Sequence, residues 1–334
     1  MHSTKIYFVV YTTGFSGSLF LSKILNSHKD VFCLHESEMF EAIRIRDDGI
    51  VEERFFFELE EKEKFSRHFF FMSPFLQHYY NGYKAVGSVE TGRFNPQPAI
   101  KILKDFVAYK NETLKDSGIQ LDFRYGFLLR SPIKVVNSFS KELEKILNVI
   151  LNQNMKEKIK KLEEFFGKVV GYAKEQGYIS EDKLSNLIEK FKTPYHRVFL
   201  FLTACVMTFL KDVTRSILNE KENVVIFRLE EKNKKDLFEG KLKKLTAQEY
   251  KLDEKILEEK VNQKHKSDDE IAVLYDWGKE KREIFFDLMI NCEEEIKILG
   301  YSYIFDLMSN LDHIYYQNIT DIFSPPHKIS FASQ

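Results

Sequence analysis

A Ser-Gly-Ser turn near the start of the chain has the composition of an anion site. Ser16-Gly17-Ser18 lies between the apolar run 6–11 and a stretch with Leu21, Ile24 and Leu25 at helical spacing. A strand that ends in such a turn and continues as a helix directs backbone N–H groups and the positive end of the helix dipole at one place. The pattern therefore predicts a cradle for a phosphate or sulfate group.

An arginine follows a second apolar run, 125–129, and begins the sequence Arg130-Ser131-Pro132. The residues after it have helical spacing, so we expect Ser131 to cap a helix and Pro132 to occupy its first position. Arg130 would then lie at the carboxyl end of a strand, where its guanidinium offers a rigid fork for a phosphate. The alternative is a salt bridge to a nearby carboxylate.

Composition limits the classes of partner. Fifty basic and fifty-one acidic residues among 334 give a net charge of −1, so no global field attracts nucleic acid or an acidic membrane. Any anion site must be local, and the expected partner is a small molecule. The sequence leaves the oligomeric state open.

The cysteines and the first apolar run indicate a cellular compartment. Cys33, Cys205 and Cys292 lie far apart without metal-ligand spacing, which favours small buried side chains in a reducing compartment. The run 6–11 is shorter than a signal-peptide core or a membrane span. We expect a cytoplasmic location and no metal.

Short apolar runs predict an α/β fold. The runs 6–11, 125–129 and 224–229 do not alternate, as is typical of strands buried on both faces of a parallel sheet, and weaker candidates are 31–34 and 82–89. Helical patterns separate them, which predicts a central parallel sheet flanked by helices with right-handed crossovers.

The remaining chain is mostly helical by pattern. We expect one domain over 1–334, with a Lys/Glu-rich helical insertion at 141–192 that presents a solvated face over a core stripe, or that acts as a lid. A further helix is predicted near 195–218, and Trp277 is expected to anchor a charged helical C-terminal region.

Ligands of open parallel sheets bind at the carboxyl ends of the strands. This rule singles out the residues that follow each apolar run. They are 12–18, His35-Glu36, Arg130-Ser131 and 228–231.

These segments resemble sulfotransferases that use 3′-phosphoadenosine 5′-phosphosulfate (PAPS). The family's first strand is followed by a basic-Ser-Gly-Thr loop that holds the 5′-phosphosulfate, and Ser16-Gly17-Ser18 occupies the Ser-Gly-Thr place. A second family signature is an arginine at a strand end with a serine eight positions later, both on the 3′-phosphate, which Arg130 and Ser138 match. The segment 224–231 is a looser match to a third family strand. The resemblance implies a P-loop-like sulfotransferase fold and a cofactor loop made of Gly14, Phe15, Ser16, Gly17, Ser18 and Leu19.

One departure from the family concerns the residue before the Ser-Gly-Ser turn. Relatives place Lys or Arg there to stabilise charge on the bridging oxygen, whereas this chain has Phe15. Related enzymes carry a lysine in a strand near the sulfonate, so Lys84 is the first substitute; the alternative is a solvated surface lysine. The resemblance also assigns Lys264 and Lys266 to a basic loop near the 3′-phosphate, against ordinary solvated lysines.

A sulfotransferase also needs a base for the acceptor proton. Some family members have a glutamate after the second strand, which makes Glu36 the first candidate and His35 the second. A helix cap or a surface ion pair is the alternative role for both.

The resemblance implies transfer of a sulfonate group from PAPS to a hydroxyl or amine of a small molecule, with a natural product as one candidate class. Two alternatives stay open. A kinase-like phosphotransferase is disfavoured because the turn lacks the lysine and glycine spacing of a Walker loop. A catalytically silent module that binds PAPS, or its desulfated form adenosine 3′,5′-bisphosphate (PAP), is favoured by Phe15.

Overall fold

A computed structural model describes most of the chain and contains a five-stranded parallel sheet. The described residues are 3–14, 16–35, 43–45, 51–53, 82–91, 94–113, 115, 118–153, 156–220, 223–231, 233–258 and 269–311. The sheet strands are β1 (Ser3–Thr12), β2 (Val31–His35), β5 (Ala85–Thr91), β6 (Ile119–Leu129) and β7 (Val224–Arg228), and a separate antiparallel pair is formed by β3 (Ile43–Ile45) and β4 (Val51–Glu53).

Helices connect the strands and form the C-terminal region. They are α1 (Ser18–Asn26), α2 (Gln97–Thr113), α3 (Pro132–Asn152), α4 (Lys156–Glu175), α5 (Glu181–Lys190), α6 (Pro194–Asn219), α7 (Lys235–Thr246), α8 (Glu254–Glu258), α9 (Glu270–Asp276), α10 (Gly278–Met289), α11 (Glu293–Ile298) and α12 (303–311). None of the helices in the described part of the chain has the length and apolarity needed to cross a membrane.

The strand order β2-β5-β1-β6-β7 brings β1 to the centre of the sheet. The side chains of Phe8 and Val10 pack on one face with α1 and α7, and those of Tyr7 and Val9 pack on the other face with α2, α3 and α6. The connections after β1 and after β5 therefore cover opposite faces. β1 and β6 are parallel, but the connection from β1 leads toward β2 and the connection from β6 leads toward β7. The carboxyl ends of these two strands therefore flank the place where ligands of open α/β sheets bind.

The predicted fold class is confirmed. All five predicted strands form and pair in parallel. Their side chains are apolar on both sides of the strand, and a parallel sheet with helices on both faces buries both sides. The sequence patterns did not predict the small β3–β4 pair. The division into one domain with an insertion at 141–192 stays a prediction, although most of its described residues are helical.

The helical layer packs around α6, which is buried along most of its length. Trp277 lies at its junction with α3 and α10. Its ring contacts the rings of Phe199 and Phe285, each with a centroid separation of 5.1 Å, and its Nε1–H donates to Asn137 Oδ1 at 3.2 Å. The anchoring role predicted for Trp277 is confirmed. All three cysteines are buried and free, as expected.

Candidate functional site

The turn between β1 and α1 requires glycine at two positions. The φ angle is +86° at both Gly14 and Gly17, in the left-handed region that L side chains rarely adopt. Gly17 is the N-cap of α1, and it has no side chain to accept from the first helical N–H groups. The first turn of α1 contains no acidic residue. No negative charge in the first turn therefore offsets the partial positive charge at the N-terminus of α1.

Hydroxyl groups surround the same turn. Ser16 Oγ donates to the carbonyl of Gly14 at 3.0 Å and lies 3.2 Å from Thr13 Oγ1, so its hydrogen is used within the turn. Ser16 and Ser18 are both buried, whereas Leu19 is exposed. Thr12 Oγ1 is fully buried and has no hydrogen-bond partner among the described residues. A buried hydroxyl without a partner costs free energy, and a bound anion would remove that cost.

His35 contacts the turn directly. It is the last residue of β2, and its Nε2 lies 2.9 Å from Ser18 Oγ. This contact joins two of the residues that sequence analysis predicted for different roles, one for the cofactor loop and one for the acceptor base.

The Arg130 segment lies at the same edge of the sheet. Tyr11 and Phe127 form the last pair between β1 and β6. Gly14 lies three positions after Tyr11, and Arg130 lies three positions after Phe127. A Cβ added to Gly14 would lie 3.1 Å from Cε2 of Phe139 on α3. The turn after β1 therefore packs against the helix that begins after Arg130, and the buried Ser138 precedes that contact residue.

Carboxylates occupy the beginning of α3. The backbone N–H of Ser131 donates to Glu230 Oε1 at 2.8 Å, and the hydroxyl of Tyr301 donates to Glu230 Oε2 at 3.1 Å. Ser131 is the N-cap residue of α3 and Pro132 takes the first helical position, as predicted, but the Ser131 side chain makes no capping hydrogen bond within the described residues. Glu230 reaches the N–H of the N-cap residue itself, because β7 pairs with β6 and brings the residues after Arg228 beside the helix start.

A second carboxylate, Glu270 on α9, lies near the same helix. Its Oε1 accepts from the hydroxyl of Tyr303 at 3.1 Å and lies 3.8 Å from Lys134 Nζ. Burial raises the pKa of Glu270 above its ordinary value, and the nearby charge of Glu230 acts in the same direction. A phosphate beside the N-terminus of α3 would therefore meet two acidic side chains, Glu230 and Glu270.

The structure does not bring Lys84 to the turn, which corrects its assignment as the substitute cation. Lys84 precedes β5 and forms a 2.8 Å salt bridge with Asp30, in the turn before β2. Ala85 pairs with Ile6, whereas the turn follows Thr12, so the two places are roughly 20 Å apart at about 3.3 Å per strand residue. The bond from Lys84 lowers the pKa of Asp30, and Lys84 is an exposed lysine at the amino edge of the sheet.

Four predicted site residues fall outside the described part of the chain. They are Phe15, Glu36, Lys264 and Lys266. Their assignments stay predictions, as do the cofactor roles of Gly14, Ser16, Gly17, Ser18, Leu19, Arg130 and Ser138.

Sequence reasoning missed two carboxylates at this edge. Glu90, on β5, is fully buried and pairs with Tyr11 in the parallel register. Inspection of the residues that follow the weaker apolar run 82–89 would have found it. Glu230 was within the inspected segment 228–231, but its contact with Ser131 depends on the neighbouring positions of β6 and β7.

Comparison with known proteins adds little evidence about the function of this site. No family model and no curated protein matches the chain. Among solved structures, the chain is similar to the sulfotransferase from Alicyclobacillus acidocaldarius, with 14% sequence identity and a TM-score of 0.38, over 87% of this chain and 95% of that chain. At this TM-score the similarity carries no argument about function.

Proposed function

We propose that the protein binds PAPS at the carboxyl edge of β1 and β6 and transfers its sulfonate group to a hydroxyl or amine of a small-molecule acceptor. The observation that supports the proposal most is the proximity of the two sequence signatures. The Ser-Gly-Ser turn and the Arg130 segment follow adjacent strands, and Gly14 packs against Phe139 of the helix that carries Ser138.

The donor groups at the turn fit a phosphate. They comprise the first N–H groups of α1, the Ser18 hydroxyl and the unpartnered Thr12 Oγ1. When bound, PAPS supplies the sulfonate group and a bisphosphate leaving group. The chain's own part is to align the donor and to neutralise charge on the phosphate, which preorganised N–H and O–H donors do effectively in a buried site.

The 3′-phosphate is assigned to Arg130 and Ser138. Glu230 already accepts from the Ser131 N–H, so we expect the guanidinium and the Ser138 hydroxyl, rather than that N–H, to provide this contact. The acceptor base stays a prediction, with Glu36 as first candidate and His35 as second; the buried Glu90 is a further carboxylate at the same edge.

Calorimetry with PAP, with and without Mg²⁺, tests the proposal. We expect binding without metal. Arg130→Ala should weaken it at least tenfold, because a charge-assisted phosphate contact contributes about 1.5–3 kcal/mol. Lys84→Met is the matched control, and it should leave the affinity unchanged within twofold since Lys84 lies at the opposite edge. Unchanged affinity in Arg130→Ala would remove that residue from the site.

The other functions predict different results. A kinase-like phosphotransferase would bind ATP in a magnesium-dependent manner and would not prefer PAP. A silent module would bind PAP without sulfating any member of a broad panel of hydroxyl and amine acceptors in the presence of PAPS.

A further inference from the structure

The hydrogen bond between His35 and Ser18 links the end of β2 to the start of α1. The two atoms, His35 Nε2 and Ser18 Oγ, are 2.9 Å apart although the residues are separated by 17 positions in the sequence. The side chain of His35 leaves β2 on the same face as those of its register partner Val89 and of Val10, which is the face that α1 covers. The contact therefore results from the packing of α1 on the sheet.

The hydrogen bond with His35 controls the direction of the Ser18 hydroxyl. Ser16 donates its hydrogen to the Gly14 carbonyl, so it is committed to holding the turn. Ser18 is the first residue of α1 and bonds to the imidazole instead. A serine hydroxyl has one hydrogen to donate and two lone pairs to accept with. Its partner therefore decides where that hydrogen points.

A second observation indicates that a ligand belongs beside Ser18. Thr12 ends β1, and its side chain follows Val10 onto the face covered by α1, since side chains alternate along a strand. Its hydroxyl is fully buried and finds no hydrogen-bond partner in the described part of the chain. Buried hydroxyls are nearly always hydrogen-bonded in native proteins, so this one has the character of a group that binds a ligand oxygen.

We propose that His35 is a positioning residue that donates from Nε2–H to Ser18 Oγ, so that the Ser18 hydroxyl donates its own hydrogen to the anion held by the turn. The inference rests on the proposed function, because it deepens the role of the same site. The hydrogen bond from His35 to Ser18 and the one from Ser18 to the anion both point toward the negative charge of the anion at the N-terminus of α1. Hydrogen bonds aligned in this way polarise each other. His35 thus acts on the donor side of the reaction, through Ser18, and not as the base for the acceptor.

A double-mutant cycle with PAP as the probe tests this role. His35→Leu removes the donor and should weaken PAP binding about tenfold, the order expected for one hydrogen bond to a charged ligand. His35→Gln keeps an amide donor near the position of Nε2 and should stay within threefold of the original protein. In a Ser18→Ala background, His35→Leu should change the affinity less than twofold, because the residue through which it acts is gone. His28→Leu, in the turn before β2 at the opposite end of that strand, is the control and should not change the affinity.

The cycle separates this proposal from the function on which it rests. If the unmodified protein does not bind PAP, the proposed function is wrong and this inference with it. If it binds PAP but His35→Leu is equally costly with and without Ser18, or has no effect at all, the inference alone is overturned.

A measurement without substitutions guards against variants that fail to fold. The ¹⁵N and ¹H resonances of the His35 ring in the PAP complex should show a proton on Nε2. A bare Nε2 in that complex would make Ser18 the donor to the ring, and this would contradict the proposal.

Discussion

The N-termini of α1 and α3 lie at neighbouring positions on the same edge of the sheet, but the side chains around them differ. Neither first turn contains an acidic residue. At α1, the N-cap is Gly17, and His35 Nε2 lies 2.9 Å from Ser18 Oγ. At α3, Glu230 accepts from the Ser131 N–H, and Glu270 lies close by. Sequence patterns alone predicted anion contacts at both. This difference supports the proposal that α1 holds the external anion, because two carboxylates from other elements already lie beside the N-terminus of α3.

The largest expected effect is at Gly14. Gly14→Ala combines an unfavourable φ of +86° with a Cβ 3.1 Å from the Phe139 ring, so it should destabilise the protein by about 1–3 kcal/mol and abolish measurable PAP binding. Gly82→Ala is the matched control, since φ is +97° there but no described atom beyond the adjacent residues lies within 4 Å of the added Cβ. Chemical denaturation and calorimetry would measure both variants. Equal losses in both would mean that the contact between the turn and α3 is unimportant.

A smaller effect is expected at the N-terminus of α3. Glu230→Gln keeps an acceptor for the Ser131 N–H but removes the charge, so stability should fall by about 1 kcal/mol. The affinity for PAP should stay the same or rise, because a negative charge near Arg130 is removed. Weaker PAP binding in this variant, with the fold intact, would contradict the view that Glu230 serves only the helix.

The smallest effect is a dependence of stability on pH. Because the pKa of Glu270 is raised by burial, the folded state holds its proton more tightly than the unfolded state, and stability is lost as pH rises above the ordinary glutamate value of 4.5. Glu270→Gln removes this loss, so its stability relative to the original protein should improve between pH 4.5 and pH 7. Glu280→Gln, at an exposed position in the first turn of α10, should show no such trend. If the difference in stability between Glu270→Gln and the original protein is the same at pH 4.5 and at pH 7, ionisation of Glu270 has no role.

The strands and the two phosphate signatures were predictable from the sequence because they depend on local patterns. A buried strand needs a short apolar run, and a tight turn into a helix needs glycine and small polar residues, as 6–11 and Ser16-Gly17-Ser18 have. Adjacency of their strands then brings the Arg130 segment to the same edge.

The interactions between segments were not predictable in this way. Lys84 belongs to the predicted run 82–89, but pairing with the turn before β2 holds it at the amino end of β5. The contacts of His35 with Ser18 and of Glu230 with Ser131 depend on which strands are neighbours and which face each helix covers. No spacing along the chain contains that information.

A crystal structure of the protein with PAP tests the central claim most directly. The account predicts that the 5′-phosphate accepts hydrogen bonds from the first N–H groups of α1, from Ser18 and from Thr12, with Arg130 on the 3′-phosphate. A nucleotide bound elsewhere, or a turn that stays closed around its own hydroxyls while PAP occupies another surface, would contradict it.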